Sequence, residues 1–334
     1  MVSIIIPTLN IGAYIGDMLG DLLAQDYKDI EILCIDGGST DETAEVISEA
    51  AERDERVRYF DYEEPGVSAA RNFGLSKAEG RYVVFADGDD RVEPGYIRTL
   101  LKQIVYDRNH FRTVKGFPRM RCQLGITGYT MFDGEEELTH TPESGVRVMS
   151  REDMLCRIFY MSNYQGYLWN KIFRRDIIEK YNIRFAKDCY YHEDQLFLAE
   201  YLTHIDAVRM TAERPYHYRL REDSAMGVLR SDDVLTPAQI RRRMTGAVAL
   251  DRLRKLLKDY PDAKWLCEQN LVFASLNIFE DMTTSGCKDR EFANTSFRKI
   301  AVKCRFIQYE PEDRFEARLL KGLYKFGITG RCRL

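Results

Sequence analysis

Four short apolar runs punctuate the first ninety residues, and most of them stop abruptly at a polar turn. Ser3 to Ile6 stops at Pro7, Ile30 to Ile35 stops at Asp36-Gly37-Gly38, and Arg81 to Ala86 stops at Asp87-Gly88-Asp89-Asp90; Val57 to Phe60 is the fourth run. Between them apolar residues recur at helical spacing, as in Tyr14, Ile15, Met18, Leu19, Leu22 and Leu23. Strands alternating with helices predict a mainly parallel sheet covered on both faces. Such sheets bind ligands at the carboxyl ends of their strands. The polar clusters Pro7 to Asn10, Asp36 to Asp41 and Asp87 to Asp90 fall at those ends. Ser39 or Thr40 is expected to cap the helix after the second run, Val67 to Ala78 to be helical, and Pro94 to open a further helix.

The rest of the chain is organised differently. Residues 111–235 mix short strands and helices, with a capping-box-like start at Ser150 and an apolar helix after His192-Glu193-Asp194. From Thr236-Pro237, a threonine cap followed by proline at the first helical position, the pattern is helical throughout. A net charge of −4 over 334 residues argues against a dedicated nucleic-acid binder. The eight cysteines include no Cys-x-x-Cys pair, so reduced thiols are expected rather than a zinc site or disulfide framework. The apolar start is too short for a secretory signal, and no run reaches the ~20 residues of a membrane span.

Asp87 and Asp89, one residue apart at a strand end, offer hard oxygen ligands that suit Mg²⁺ or Mn²⁺. Gly88 between them permits close backbone approach. A solvated acidic turn is the ordinary fate of an isolated Asp-x-Asp, but here two more polar strand ends share the sheet. Asp36 can accept a hydrogen bond from a nucleobase N–H, or cap the next helix. Arg71 can grip a phosphate or stack on a base, or be a surface arginine with a carboxylate neighbour.

Four segments in order, Val2 to Asn10 (VSIIIPTLN), Glu31 to Asp41 (EILCIDGGSTD), Gly66 to Leu75 (GVSAARNFGL) and Phe85 to Asp90 (FADGDD), resemble the nucleotide-sugar-binding half of family 2 glycosyltransferases. The resemblance is close over residues 1–100 and looser to about 230. It implies a GT-A fold, a UDP-sugar donor and a divalent metal, Mn²⁺ or Mg²⁺. By that resemblance Pro7, Thr8 and Leu9 lie beside the uridine, Asp36 and Arg71 contact the uracil, Asp87 and Gly88 lie near the ribose, and Asp89 holds the metal. The chain departs from the family at Gly37, often Asp, and at Leu9, often aromatic.

Leu168 to Asp176 (LWNKIFRRD) and His192 to Phe197 (HEDQLF) are similar to the family's acceptor side, which makes Asp194 the base that deprotonates the acceptor hydroxyl. Acidic residues are also at home in a helix first turn, which suffices for Glu193. Pro215 to Ser224 (PYHYRLREDS) resembles a segment that closes over the diphosphate. His217 there is either a third metal ligand or an ordinary histidine. Arg221, with Arg219 two residues before it, is a candidate phosphate contact; alternation along a strand puts both on one face, so spacing does not separate them.

The expected enzyme is therefore an inverting, metal-dependent glycosyltransferase, α/β with a GT-A domain at 1–235 (donor half 1–100, acceptor half 101–235) and a helical region at 236–334. It is expected to move sugar from a UDP-sugar to a glycan, glycolipid or polyol in cell-surface polysaccharide synthesis, in the cytoplasm. Residues 314–334 carry a charge of +5 on an amphipathic pattern. They read as a helix packed on the catalytic domain or as a peripheral contact with the inner face of the plasma membrane. A nucleotidyltransferase would bring a Gly-rich basic loop near the first strand, where Pro7 to Asn10 is not one. A non-catalytic sugar-nucleotide-binding module would have no need of Asp194.

Overall fold

The structure is a computed structural model describing residues 1–105, 121–133, 136–140, 145–160, 166–221 and 235–285. Ser224 and the basic stretch 314–334 lie outside the described residues. By its internal contacts the chain divides into two units, Met1–Lys187 with Phe197–Ser231, and Asp188–Leu196 with Asp232–Leu334.

The first unit opens with β1 (Val2–Thr8), α1 (Gly12–Leu23), β2 (Ile30–Asp36), α2 (Thr43–Arg53), β3 (Val57–Asp61), α3 (Val67–Lys77) and β4 (Tyr82–Phe85). It continues through β5 (Arg91–Val92), α4 (Tyr96–Val105), β6 (Cys122–Ile126), β7 (Thr130–Asp133), β8 (Glu136–His140), β9 (Val146–Ser150), α5 (Arg151–Arg157), β10 (Lys171–Arg174) and α6 (Arg175–Lys180). It closes with most of α7 (Glu193–Thr203), then β11 (Ala207–Thr211) and β12 (Tyr216–Arg219).

Eight strands form the main sheet in the order β3-β2-β1-β4-β10-β6-β11-β9. β3, β2, β1 and β4 run parallel, and the register sets Thr8 opposite Asp36 at their carboxyl ends. β10 is antiparallel to both β4 and β6, and β11 is parallel to β6. Ile4, Ile6, Ile32, Cys34 and Val84 share one buried cluster with Ile15, Met18 and Leu22 of α1 and with Ile97 and Leu100 of α4. Ile5, Leu33, Ile35, Val83 and Phe85 are buried as well, so both faces are covered. α3 lies against β1 so closely that a Cβ on Gly74 would sit 2.4 Å from Ile5 Cγ2. Gly74→Ala is therefore expected to destabilise the fold by about 1–3 kcal/mol through overpacking, read as a lower urea midpoint with an unchanged slope.

A second sheet, β5-β12-β7-β8, follows the acidic turn. β12 pairs antiparallel with β5 and parallel with β7, which brings residues 216–219 beside Asp87 to Asp90.

Two expected helix starts move. α2 begins at Thr43 rather than beside Ser39 or Thr40, because those hydroxyls are committed to Asp36 and Asn10; the Asp41 carboxylate accepts the Thr43 N–H instead. α4 begins at Tyr96, because Pro94 sits in a turn whose carbonyl accepts Asp26 N–H. Ser150 caps α5 as expected, accepting the Asp153 N–H at 3.1 Å.

In the second unit, α8 (Pro237–Leu256) starts with a full capping box of Thr236 and Gln239, with proline in the first turn. A short 3₁₀ turn leads to α9 (Pro261–Thr284), and the Arg243–Asp281 pair at 2.6 Å ties the two helices. Among the described residues no helix is long and apolar enough to cross a membrane.

Candidate functional site

The carboxyl ends of β2, β1 and β4 are adjacent, so their loops meet. The first two loops interlock. Asn10, at φ 52°, accepts the Thr40 N–H on its Oδ1 and donates its own N–H to Ser39 Oγ. α1 has no side-chain cap of its own; Ile11 N–H donates to Thr43 Oγ1 and Gly12 N–H to Asp41 Oδ2. The second loop thus satisfies two orphan donors of the first helix.

Asp36 lies beneath this lock and is 2% exposed. Its Oδ1 accepts from Thr8 Oγ1 at 3.1 Å and Ser39 Oγ at 2.5 Å, and its Oδ2 from Ser39 N–H at 3.0 Å. A carboxylate has about four lone-pair sites, so three donors leave about one acceptor position. Thr8 faces Asp36 and orients it, whereas Leu9 projects outward, 58% exposed, with Gly37 beside it. Pro7 is the penultimate residue of β1, opposite Ile35.

Arg71, on α3, is buried and held from two sides. Its Nη2 lies 3.4 Å from Asp87 Oδ1, and its guanidinium sits 5.4 Å from the centre of the Phe185 ring. Asn72, which sequence reasoning missed, fixes that ring by a reciprocal pair of hydrogen bonds with the Phe185 backbone. An asparagine matched to a peptide 113 residues away carries no local signal.

The four residues Asp87 to Asp90 part company. Asp87 meets Arg71, and Asp89 Oδ2 pairs with Arg221 Nη1 at 2.9 Å. Gly88 faces inward, where a Cβ would lie 2.5 Å from Ile11 Cδ1 and 2.9 Å from Ile15 Cδ1, so packing alone demands glycine there. Asp90 is buried, accepting from Tyr216 Oη at 2.5 Å and from Arg219 N–H at 2.8 Å. Burial, then the neighbouring Asp89 and Asp87 carboxylates, raise its pKa well above the ordinary carboxylate range. Tyr216 also stacks on Trp169, part of an aromatic layer with Tyr167 and Tyr218 beneath the turn.

β12 separates the two arginines that alternation left equivalent. Arg219 donates through Nε to the Asp89 carbonyl, a backbone brace, while Arg221 reaches the Asp89 carboxylate. Both guanidinium groups lie over Tyr14, at 5.1 and 4.6 Å. His217 has Thr130 Oγ1 at 2.6 Å from Nδ1 and Glu93 Oε1 at 3.5 Å from Nε2. Both ring nitrogens therefore have partners other than the site aspartates. Among the described residues no group of three His, Cys, Asp or Glu side chains is arranged to hold a metal.

Asp194 sits in the first turn of α7, in the stretch 188–196 that belongs to the second unit. Its Oδ1 accepts the Gln195 N–H at 2.6 Å. The preceding His192 adopts φ 62°.

The profile of "Glycosyl transferase family 2" matches residues 3–123, the stretch that supplies Asp36, Arg71, Asp87 and Asp89. Over that stretch, about a third of its length, the chain is similar to glycosyl transferase family 2, and the chain as a whole resembles curated glycosyltransferases. It is 29% identical over 229 residues to the uncharacterized glycosyltransferase EpsJ of Bacillus subtilis, covering 67% of this chain and 62% of EpsJ. The chain thus spans less than two thirds of that relative. Among solved structures, S. aureus TarS 1–349 in complex with UDP-GlcNAc aligns with a TM-score of 0.57 at 19% identity, over 90% of this chain and 85% of TarS. The mannosyltransferase PcManGT from Pyrobaculum calidifontis, in complex with GDP-Man and Mn2+, aligns with a TM-score of 0.50 at 15% identity, over 98% of this chain and 85% of that one. These likenesses establish the GT-A fold.

Proposed function

We propose that the chain transfers a sugar from a UDP-sugar to a hydroxyl of a glycan, glycolipid or polyol, inverting the anomeric centre, in cell-surface polysaccharide synthesis. The observation that carries this is the clustering of Asp36, Asp87 and Asp89 at the carboxyl ends of β2 and β4 on either side of β1, with Arg71 of α3 against Asp87, all within the family-matched region. UDP-GlcNAc bound to TarS supports a uridine donor.

The remaining acceptor position of Asp36 suits the imide N–H of uracil, and exposed Leu9 offers an apolar face to the base. Arg71 is held by Asp87 and Phe185 and orients the Asp87 carboxylate toward the ribose. Asp87 and Asp89 fit a divalent ion by donor chemistry. Such ions commonly take one or two protein carboxylates plus phosphate oxygens rather than an all-protein cage. When bound, Mn²⁺ or Mg²⁺ supplies Lewis-acid stabilisation of the departing diphosphate. Arg221, beside Asp89, adds a planar cation suited to the same phosphates. Asp194 takes the proton of the acceptor hydroxyl as its oxygen bonds to the anomeric carbon. The bond from that carbon to the diphosphate breaks on the opposite face, which inverts the centre. Domain limits at 1–235 and 236–334, and peripheral membrane contact through residues 314–334, belong to the same proposal.

Incubation with a panel of UDP-sugars and Mn²⁺ is expected to release UDP, to stop with EDTA and to resume when Mn²⁺ is restored. Pyrophosphate in place of UDP would instead mark a nucleotidyltransferase, and binding without any release would mark a non-catalytic module.

A further inference from the structure

The stretch Asp188 to His192 is docked on one face of α8, all within the second unit. Arg252 grips Asp188 with two hydrogen bonds, at 2.7 and 2.5 Å, and its Nη1 also lies 3.6 Å from Cys189 Sγ. Cys189 is 3% exposed, and burial pushes its thiol up to about 11. The Tyr190 N–H donates to Thr245 Oγ1 at 2.8 Å, and the Tyr190 ring lies 4.6 Å from the Arg242 guanidinium. Tyr191 and His192 meet Gly246, where a Cβ would come within 3.2 Å of Tyr191 Cβ and 3.1 Å of His192 Cδ2. Arg242, Thr245 and Gly246 share one face of the helix by their three- and four-residue spacing, and Arg252 extends the contact toward its end.

Two features lack an explanation in helix chemistry alone. Glycine is the poorest helix former after proline, yet Gly246 sits in the middle of a 20-residue helix. His192 occupies the left-handed region at φ 62°, which costs energy unless the surroundings hold it. Together they explain each other. The missing Cβ at 246 admits the side chains of Tyr191 and His192, the Tyr190 N–H is held by Thr245, and the chain so docked turns at His192 into α7. The His192 carbonyl accepts the Leu196 N–H, and its Nδ1 pairs with Gln195 Oε1 at 2.9 Å, one on each side of the turn that presents Asp194.

We propose that Arg242, Thr245, Gly246 and Arg252 are positioning residues: α8 is a bracket that sets the backbone of residues 188–192 and thereby aims Asp194. This deepens the assignment of Asp194 as the acceptor base and rests on it. The bracket acts on the proton-transfer step and not on donor binding, because Asp36, Arg71, Asp87 and Asp89 belong to the other unit.

Gly246→Val and Arg252→Ala test the bracket in the full chain, together with the charge-swapped pair Asp188→Arg with Arg252→Asp. Hydrogen exchange of residues 188–196 is measured by mass spectrometry, UDP release with Mn²⁺ and the UDP-sugar that the parent turns over fastest, and UDP affinity by calorimetry. The single variants are expected to speed exchange at 188–196 and to lower kcat roughly 10- to 100-fold, the effect of an ångström-scale misplacement. UDP affinity should stay at the parent value, and the swapped pair should recover most of the lost kcat. The bracket is overturned if kcat stays at the parent value while exchange rises, if kcat and UDP affinity fall in step, or if the swapped pair recovers nothing. Should Gly246→Val fail to fold, the half-exposed Arg252–Asp188 pair carries the test alone. Asp194→Asn, run alongside, separates the two assignments. If it releases UDP at the parent rate, the base is misassigned; if it is silent while both bracket variants keep the parent kcat, only the bracket fails.

Discussion

Asp194→Asn is expected to lower kcat for sugar transfer roughly 10²- to 10⁴-fold, the usual contribution of a general base. In free energy that is about 3–5 kcal/mol of transition-state stabilisation. The substitution keeps the shape of the side chain and one acceptor oxygen but removes its capacity to take a proton. Asp194 Oδ1 already accepts the Gln195 N–H, a contact an amide oxygen can keep, so the α7 turn should persist. UDP affinity and donor KM should be unchanged, because a base contributes only as the hydroxyl proton leaves. Steady-state kinetics with calorimetry of UDP binding checks this. Near-parental kcat in the variant would remove Asp194 from the mechanism, and weakened UDP binding would make it a donor contact.

The largest expected effect on stability comes from the opposite end of the sheet. Glu31 is buried on β2 and accepts four hydrogen bonds: from Ser3 Oγ at 2.6 Å, Glu79 N–H at 2.7 Å, Gly80 N–H at 3.0 Å and Arg58 Nη1 at 2.9 Å. Burial alone would raise its pKa, but the Ser3, Glu79, Gly80 and Arg58 donors outweigh it and the net direction is down. Glu31→Ala takes the acceptor from the Ser3 hydroxyl and the Glu79 N–H, whereas the Gly80 N–H keeps Ser3 Oγ and the one-third-exposed Arg58 keeps Glu79; each buried donor left unsatisfied costs about 1–3 kcal/mol. Against a typical total of about 5–15 kcal/mol, the variant should unfold at a clearly lower urea midpoint than the parent. Glu31→Gln, which keeps an acceptor oxygen, should lose less. A lowered folded-state pKa means the carboxylate's contribution is present above the unfolded value of 4.5 and is lost as pH falls through the folded one. The gap between parent and Glu31→Gln in urea unfolding should therefore be full at pH 7 and shrink below about pH 4. A gap that widened in acid would contradict the charged role of Glu31.

What could be read along the chain is what local chemistry writes there. β1, β2 and β4 are buried on both faces, so Ile4 to Ile6, Ile32 to Ile35 and Val83 to Phe85 show as continuous apolar runs. Thr236-Pro237 marks the start of α8 with a cap that needs nothing from elsewhere. The misplaced start of α2 has the opposite cause. Ser39 and Thr40 look like caps, but distant partners in the first loop compete for their hydroxyls and win. β10 was unreadable as the partner of β4, since Lys171 to Arg174 carries no sign of its antiparallel course. Asp90 stood in the sequence only as the end of a polar turn, and its bond to Tyr216, 126 residues away, makes it an internal fastening. Asp36, Asp87 and Asp89 were visible because strand ends are predictable. Their ties to Thr8, Arg71 and Arg221 were not, because each crosses between elements.

The position of β10 also bears on how the chain is made. β4 lies between β1, which leaves the ribosome long before it, and β10, which emerges about ninety residues later. At roughly 5–20 residues per second, the outer edge of β4 waits for seconds with its backbone groups unpaired. The turn Asp87 to Asp90 waits longer, since Tyr216 and Arg219 must arrive to fasten Asp90. A nascent chain halted before residue 171 would leave that edge of β4 without the partner that pairs it in the finished sheet. Chain synthesis itself therefore delays completion of the turn Asp87 to Asp90 until residues 216–219 have been made.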